Sequence, residues 1–246
     1  MSGREGDREG GERASSRRPR PSLPPPSQHS DVILAGAATA DVAFCVVGDP
    51  FGATTHTDLQ LRAAAAGVPV AVVHNASIMN AVGCAGLQLY RYGEAVSLVF
   101  FTDTWAPDSF YDRVAANRSR GLHTLVLLDI KVKEPTEESL ARGKPVFGPP
   151  RYMTADVAAA QLLRVEAART AAGTGGAYSA ATLAVALARV GGADQAVVAA
   201  SLGDLASGAV PAAALGPPLH TLVLAGDVHP VEAELLAKHG WGGGGG

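Results

Sequence analysis

The sequence predicts an α/β fold, and three observations carry that prediction. Short apolar runs rich in valine and leucine recur along the chain, segments with helical spacing separate them, and glycines and prolines mark the joints. Strands that alternate with helices imply a largely parallel sheet covered by helices. DVAFCVVG (41–48) reads as a buried strand, and the helix after it ends at Gly67. VPVAVVHN (68–75) is a second strand, followed by a helix over about 77–90. AVSLVFF (95–101) is a third, and a helix from Pro107 to Arg118 leads into LHTLVLLDI (122–130). YMTADVAAAQLLRVEAARTA (152–171) is strongly helical, with Thr154 as its N-cap. TLAVALARV (182–190) and LHTLVLAG (219–226) are further buried strands, each expected to run into a helical segment. No internal repeat is visible.

Composition narrows the function classes. With 246 residues, 47% of them hydrophobic, the chain is long enough for one large domain or two small ones. A formal net charge of -3 gives no basic excess that would point to nucleic acid or an anionic lipid surface. No apolar run approaches the roughly 20 residues that a membrane-spanning helix needs. The two cysteines, Cys45 and Cys84, suit a reducing compartment, expected to be the cytoplasm, and exclude a cysteine-rich zinc site. No pair among the seven histidines has the spacing of a helical metal motif. Residues 1–30 hold five prolines, six arginines and four acidic residues and almost nothing apolar, so they read as disordered. The acids Glu5, Asp7, Glu9 and Glu12 argue against a transit peptide. A Gly-rich tail closes the chain at 241–246.

In open α/β sheets ligands bind beyond the carboxyl ends of the strands, so those ends hold the candidate site. The first runs into GDPFGATTHTD (48–58), where Asp49 can accept hydrogen bonds from a ribose or an amine. Gly48 and Gly52 allow unusual backbone angles, and Thr54 or Thr55 can cap the next helix. The plainer reading makes Asp49 itself a helix cap. The second ends in HNASIMNAVG (74–83), where Ser77 can be an N-cap and the backbone of Ser77 and Ile78 can hold a flat ring. Three later ends are LVLLDIKVKE, with Leu128 and Asp129; LARVGGADQ; and the strand around His220, with Asp227 and His229 beyond it. A lone histidine at a strand start is more often structural than catalytic. A phosphate loop, a G-x-S-x-G elbow and a G-x-G-x-x-G fingerprint are all missing, which disfavours nucleotide triphosphatases, hydrolases and ordinary dehydrogenases.

The strings VVGDPFGATTHTDL, VVHNASIMNAVGCAGLQLYRYGE, FFTDTWAPDSFYD, LVLLDIKVKE, PPRYM, LARVGGADQ and PPLHTLVLAG, in that order, resemble the diphthine synthases. The resemblance spans about residues 39–239. The wider group is the tetrapyrrole-methylase-like (class III) methyltransferases, which have two α/β domains with S-adenosylmethionine held between them. On this resemblance the first domain is 31–101 and the second 102–240. The positions that match donor-contacting residues of the family are Asp49, Gly52, Ser77, Ile78, Leu128, Val190 and His220. The resemblance implies repeated methylation of the modified histidine of translation elongation factor 2, one step in diphthamide synthesis. The histidine spacing, the net charge and the short apolar runs leave no metal and no direct contact with nucleic acid or membrane expected, and a homodimer is plausible for the apolar helices of the second domain. The donor is an activated sulfonium, so catalysis by positioning is enough, and no residue is singled out as a general base.

The chain also departs from that pattern. The family's first strand and glycine-rich loop are missing, and residues 1–30 and the link DVILAGAATA (31–40) stand in their place. The first domain is therefore expected to show unpaired edges and exposed apolar faces. Two other readings follow: a non-catalytic homologue that docks on elongation factor 2 without turnover, or a methyltransferase of the same fold acting on a tetrapyrrole or ribosomal RNA.

Overall fold

The computed structural model describes residues 26–52, 56–134 and 147–240, with residues 26–30 as backbone only. The expectations for 1–25, for Thr54 and Thr55 and for the tail 241–246 lie outside the described residues. The chain forms two compact units, 1–74 and 75–246. The sequence reading puts the division after Phe101. Residues 95–101 instead belong to the later unit, because the strand they contain pairs with residues 126–128.

In the first unit, α1 (Pro26–Ala37) and α2 (Thr57–Ala65) are the regular elements. DVILAG, the start of the link 31–40, lies within α1, and the helix extends back into the stretch read as disordered. α2 ends as expected: Gly67, at φ 70°, takes the left-handed conformation that stops a helix. The two runs read as strands, 41–48 and 68–75, have no ladder partner among the described residues. Apolar content makes a segment sticky, but a strand exists only when a neighbour bonds its backbone. Val42, Val47, Val70 and Val73 are accordingly exposed.

The second unit holds a five-stranded sheet in the order β1-β2-β7-β5-β6. The strands are β1 (Val96–Leu98), β2 (Thr124–Leu128), β5 (Leu183–Ala188), β6 (Ala196–Ser201) and β7 (His220–Leu224). β3 (Ile130–Lys131) and β4 (Arg151–Tyr152) make a separate two-stranded ribbon. The expectation of a largely parallel sheet is corrected: β1–β2 is parallel, whereas β2–β7, β5–β7 and β5–β6 are antiparallel. The cause is local. After LARV the turn GGADQ sends the chain straight back as AVVAAS, a strand, where a helix was expected. A short helix, α6 (Leu202–Ser207), comes only after it.

Alternating side chains give the sheet two apolar faces. One face, with Val96, Leu98, Val126, Ala186 and Leu222, is covered by α4 (Tyr111–Arg118), α5 (Ala155–Ala171) and α6. The other, with Leu125, Val185, Leu187 and Val223, is covered by Val82, Ala85, Leu87 and Leu236 of α7 (Pro230–Ala237). α5 fits its expected span, but Thr154 makes no side-chain cap. The helix expected over 77–90 is cut to α3 (Ile78–Ala81) and two 3₁₀ turns, 82–85 and 89–91. Gly86 breaks it at φ 89°, and a Cβ there would sit 2.9 Å from Leu235.

At the edge where β2 begins and β7 ends lies a buried ionisable cluster. His123 is fully buried, its Nδ1 accepts the Gly226 N–H at 2.9 Å, and its Nε2 faces Glu232 at 3.5 Å. Burial pushes the His123 imidazolium below its ordinary range, against the pull of Glu232. Burial raises the pKa of Glu232, but the N–H groups of Gln88 and His229 outweigh it and hold the carboxyl below its usual value. Both groups therefore bind fewer protons folded than unfolded. The stability due to His123 is present above its unfolded value of about 6.5 and is lost as pH falls through its depressed folded pKa. That due to Glu232 is present above about 4.5 and lost below. The melting temperature is expected to decline in two stages on acidification. Calorimetry between pH 8 and 4 tests this, and a flat profile from pH 7 to 5 would rule out the His123 part.

Candidate functional site

Strand direction creates the site. β7 runs antiparallel to both β2 and β5, so the carboxyl ends of β1, β2 and β5 and the start of β7 share one edge. Ala188, the last residue of β5, pairs with His220, the first of β7. The Val126↔Leu222 register puts Leu128 level with His220. Val190 follows β5 by two residues, so Leu128, Val190 and His220, far apart in sequence, meet at one edge. All seven residues implied by the resemblance are partly buried.

His220 is held from three directions. Its Nδ1 accepts the N–H of Ala155, the first residue of α5, at 3.3 Å. Its Nε2 donates to the carbonyls of Gly216 at 3.0 Å and Pro217 at 3.2 Å. This pattern fixes the Nε2–H tautomer and leaves neither ring nitrogen free to take a proton from a substrate. The histidine contributes shape and ring surface.

Leu128 packs against the face that carries α5, whereas Ile78 and Val190 both pack against the opposite face. Ser77 is the N-cap of α3: its Oγ accepts the Met79 N–H at 3.3 Å, and Asn80 Oδ1 accepts the Ser77 N–H at 3.2 Å. Its backbone C=O and side chain are thereby oriented, as the capping reading expects.

Next to this edge, Asp129 accepts the Phe100 N–H at 3.0 Å and pairs with Lys131 at 3.3 Å, and its carbonyl accepts the Met153 N–H at 2.9 Å. Gln161 of α5 bonds both the Phe101 N–H and the Val99 carbonyl, at 3.0 and 2.8 Å. These clamps fix the chain leaving β1. Sequence reasoning missed Gln161, since one glutamine on an amphipathic helix gives no signal.

In the first unit, Asp49 Oδ1 accepts the Phe51 N–H at 2.8 Å, and Oδ2 lies 3.1 Å from His74 Nδ1. The Gly52 N–H donates to the Asp49 carbonyl at 3.2 Å. Asp49 therefore orders its own turn, and it does not cap α2, whose N-cap is His56.

A cavity of about 490 Å3, lined by Arg118, Glu166, Thr170, Tyr178 and Thr182 among others, lies at the opposite edge of the sheet, where β5 begins. It shares no residue with the candidate site. Among the described residues no cluster of histidine, cysteine and carboxylates can hold a metal, and no helix is long and apolar enough to cross a membrane.

Comparison with known proteins agrees with this geometry. The profile of the Tetrapyrrole (Corrin/Porphyrin) Methylases matches residues 13–206. The diphthine methyl ester synthase of Mus musculus is 54% identical over 211 residues, covering 85% of this chain and 73% of the relative. A probable diphthine methyl ester synthase of Arabidopsis thaliana is 57% identical over 197 residues, 80% of this chain and 68% of the relative. Among solved structures, one from Entamoeba histolytica assigned as a diphthine synthase superposes with a TM-score of 0.72 at 43% identity, covering 85% of this chain and 75% of that one. A crystal structure of another diphthine synthase matches with a TM-score of 0.65 at 27% identity, over 86% of this chain and 70% of that one. An edge built from the carboxyl ends of three strands, together with this likeness over most of the chain, shows that the protein belongs to the tetrapyrrole methylase family and, within it, to the methyltransferases of the diphthine methyl ester synthase group.

Proposed function

We propose that this chain methylates the modified histidine of translation elongation factor 2, the diphthine intermediate of diphthamide synthesis, with S-adenosylmethionine as donor. The observation that carries the reading is the meeting of Leu128, Val190 and His220 at one edge of the sheet. The donor set there suits such a ligand. Ile78 and Val190, which pack on the same face of the sheet, offer partly buried aliphatic surface for a purine ring, and strand-end backbone groups offer hydrogen bonds for its edge and for a ribose. In the 1–74 unit, Asp49, 14% exposed, matches a donor-contacting position of the family by itself, and its carboxylate could receive a ribose hydroxyl or an amine.

S-adenosylmethionine supplies an activated methyl group on a sulfonium. The chain's own task is to bind, to orient and to exclude water. A carboxylate acceptor is already ionised at neutral pH, so forming an ester on it needs no base. That fits a site whose histidine has both ring nitrogens engaged.

One observation favours a second reading, binding without turnover. The runs 41–48 and 68–75 that flank Asp49 and His74 form no ladder and expose valines to solvent. Titration with S-adenosylhomocysteine, followed by a methyl-transfer assay on the unmethylated elongation factor intermediate, separates the two. Micromolar or tighter binding with transfer is the expected result. Donor binding without transfer would leave the second reading, and no donor binding by folded protein would overturn the first.

A further inference from the structure

We propose that Arg189 is a positioning residue for the methyl-donor site: it sets Val190 and His220 together by pinning the turn after β5 to the loop before β7. The proposal rests on the donor-site reading above for its function, and on geometry alone for its mechanical part.

Arg189 sits between Ala188, which pairs with His220, and Val190. Its φ is 48°, the one positive value at a non-glycine residue among the described residues. A long side chain in the left-handed region crowds its Cβ against the following carbonyl oxygen, so the surroundings must over-determine it. They do. The side chain is 17% exposed. Nη1 donates to the carbonyl of Leu215 at 2.7 Å and to that of Pro217. Nη2 donates to the Asp194 carbonyl at 2.7 Å, and Nε pairs with the Asp194 carboxylate at 2.6 Å. The backbone adds two ties: the Arg189 N–H donates to the Leu219 carbonyl at 3.0 Å, and its carbonyl accepts the Gly192 N–H at 2.9 Å.

The link to His220 is one atom. The Pro217 carbonyl that accepts from Arg189 also accepts from His220 Nε2. Gly216, the other acceptor of that ring, has φ 68°, and a Cβ there would lie 3.3 Å from Arg189 Nη2, so guanidinium and loop are fitted to each other. The planar fork of arginine reaches Leu215, Pro217 and Asp194 at once, and a lysine ammonium cannot span them. Arg189 points its donors at this scaffold, and it acts on a ligand through the histidine ring and the Val190 backbone.

The test uses the full chain and Arg189→Ala, with Arg189→Lys as the charge-conserving variant and Asp194→Asn in reserve. The first measurement is the ring 15N spectrum of His220, assigned with a His220→Gln control. The wild-type ring is expected as a single Nε2–H tautomer. Arg189→Ala should give averaged or shifted ring signals while the backbone spectrum of the sheet persists. The second is the Kd for S-adenosylhomocysteine, expected to weaken at least tenfold in Arg189→Ala, to remain weak in Arg189→Lys, and to recover in part when free guanidinium is added. An unchanged His220 ring in folded Arg189→Ala overturns the proposal, whatever the Kd. A disturbed ring with an unchanged Kd also overturns it. If wild type fails to bind the probe, the donor-site reading falls while the ring spectrum still decides whether Arg189 holds His220. Should Arg189→Ala not fold, Asp194→Asn replaces it with the same readouts, an altered ring and about threefold weaker binding, and no change in either overturns the proposal.

Discussion

Glu166→Ala is expected to destabilise the 75–246 unit by about 3–5 kcal/mol, because it strands two buried donors and unties two more. Glu166 is 9% exposed and lies on the core side of α5. One carboxylate oxygen accepts the Tyr111 hydroxyl at 2.7 Å and the Tyr178 N–H at 3.4 Å. The other accepts the Gly176 N–H at 2.5 Å and the Thr170 hydroxyl at 3.0 Å. Burial raises the pKa of this acid, but the four donors outweigh it and hold the carboxyl below its usual range. The group is therefore a charged hub that ties α4, α5 and the loop entering β5. At about 1–3 kcal/mol for each buried donor left unpaired, the Tyr111 hydroxyl and the Tyr178 N–H set the magnitude. A fall in melting temperature of roughly 10 °C is the corresponding signal. Glu166→Gln, which keeps two acceptor lone pairs, should lose less. If urea titration of Glu166→Ala gave a loss under 1 kcal/mol, the hub would be wrong.

Gly226→Ala is expected to cost about 3 kcal/mol, at the upper end for overpacking, because nothing near it can yield. A Cβ on residue 226 would lie 2.5 Å from the Gly121 carbonyl oxygen and 2.6 Å from the carbonyl carbons of Gly121 and Leu122, all backbone atoms. The Asp227 N–H donates to that same Gly121 oxygen at 3.1 Å, and the Gly226 N–H bonds His123, so moving the strand end apart would break both. Gly173 makes the contrast: at φ 74° with nothing within 4 Å, it is under conformational restraint alone. Alanine there should cost about 1–2 kcal/mol. Equal losses at the two positions in urea titrations would show that packing at Gly226 is looser than the contacts describe.

The sequence was most legible where the signal was local and strong. LHTLVLLDI, TLAVALARV and LHTLVLAG all became central strands, and the 17-residue α5 stands within its predicted segment. Legibility failed where structure depends on a partner. DVAFCVVG and VPVAVVHN have the composition of strands, yet among the described residues neither has a ladder partner. AVVAAS went unread as a strand because its alanines are poor evidence for one, and it is a strand because β5 lies alongside. Pair direction was likewise invisible, since one missed strand turned an expected parallel crossover into a hairpin. For the site, bottom-up reading found the strand ends but could not rank them. His220 looked structural by itself, and its bonds to Gly216, Pro217 and Ala155 keep it structural, at an edge shared with Leu128 and Val190. Residue 189 passed unnoticed because an arginine between an apolar strand and two glycines has no pattern, and its role lies in carbonyls 26 and 28 residues away.

The strand order carries a consequence for how the protein is made. β7, the last strand among the described residues, lies in the middle of the sheet, between β2 and β5. As the chain leaves the ribosome, β1 with β2 and β5 with β6 can each pair early, but the two pairs have no common edge until residues 220–224 emerge. Until then the apolar faces of both halves stay unpaired along that edge, and closure depends on contacts far apart in sequence. A nascent chain of this order cannot bank its stability as it grows. The sheet closes only when residues 220–224 join the two pairs, which leaves both inner strand edges unpaired before that step.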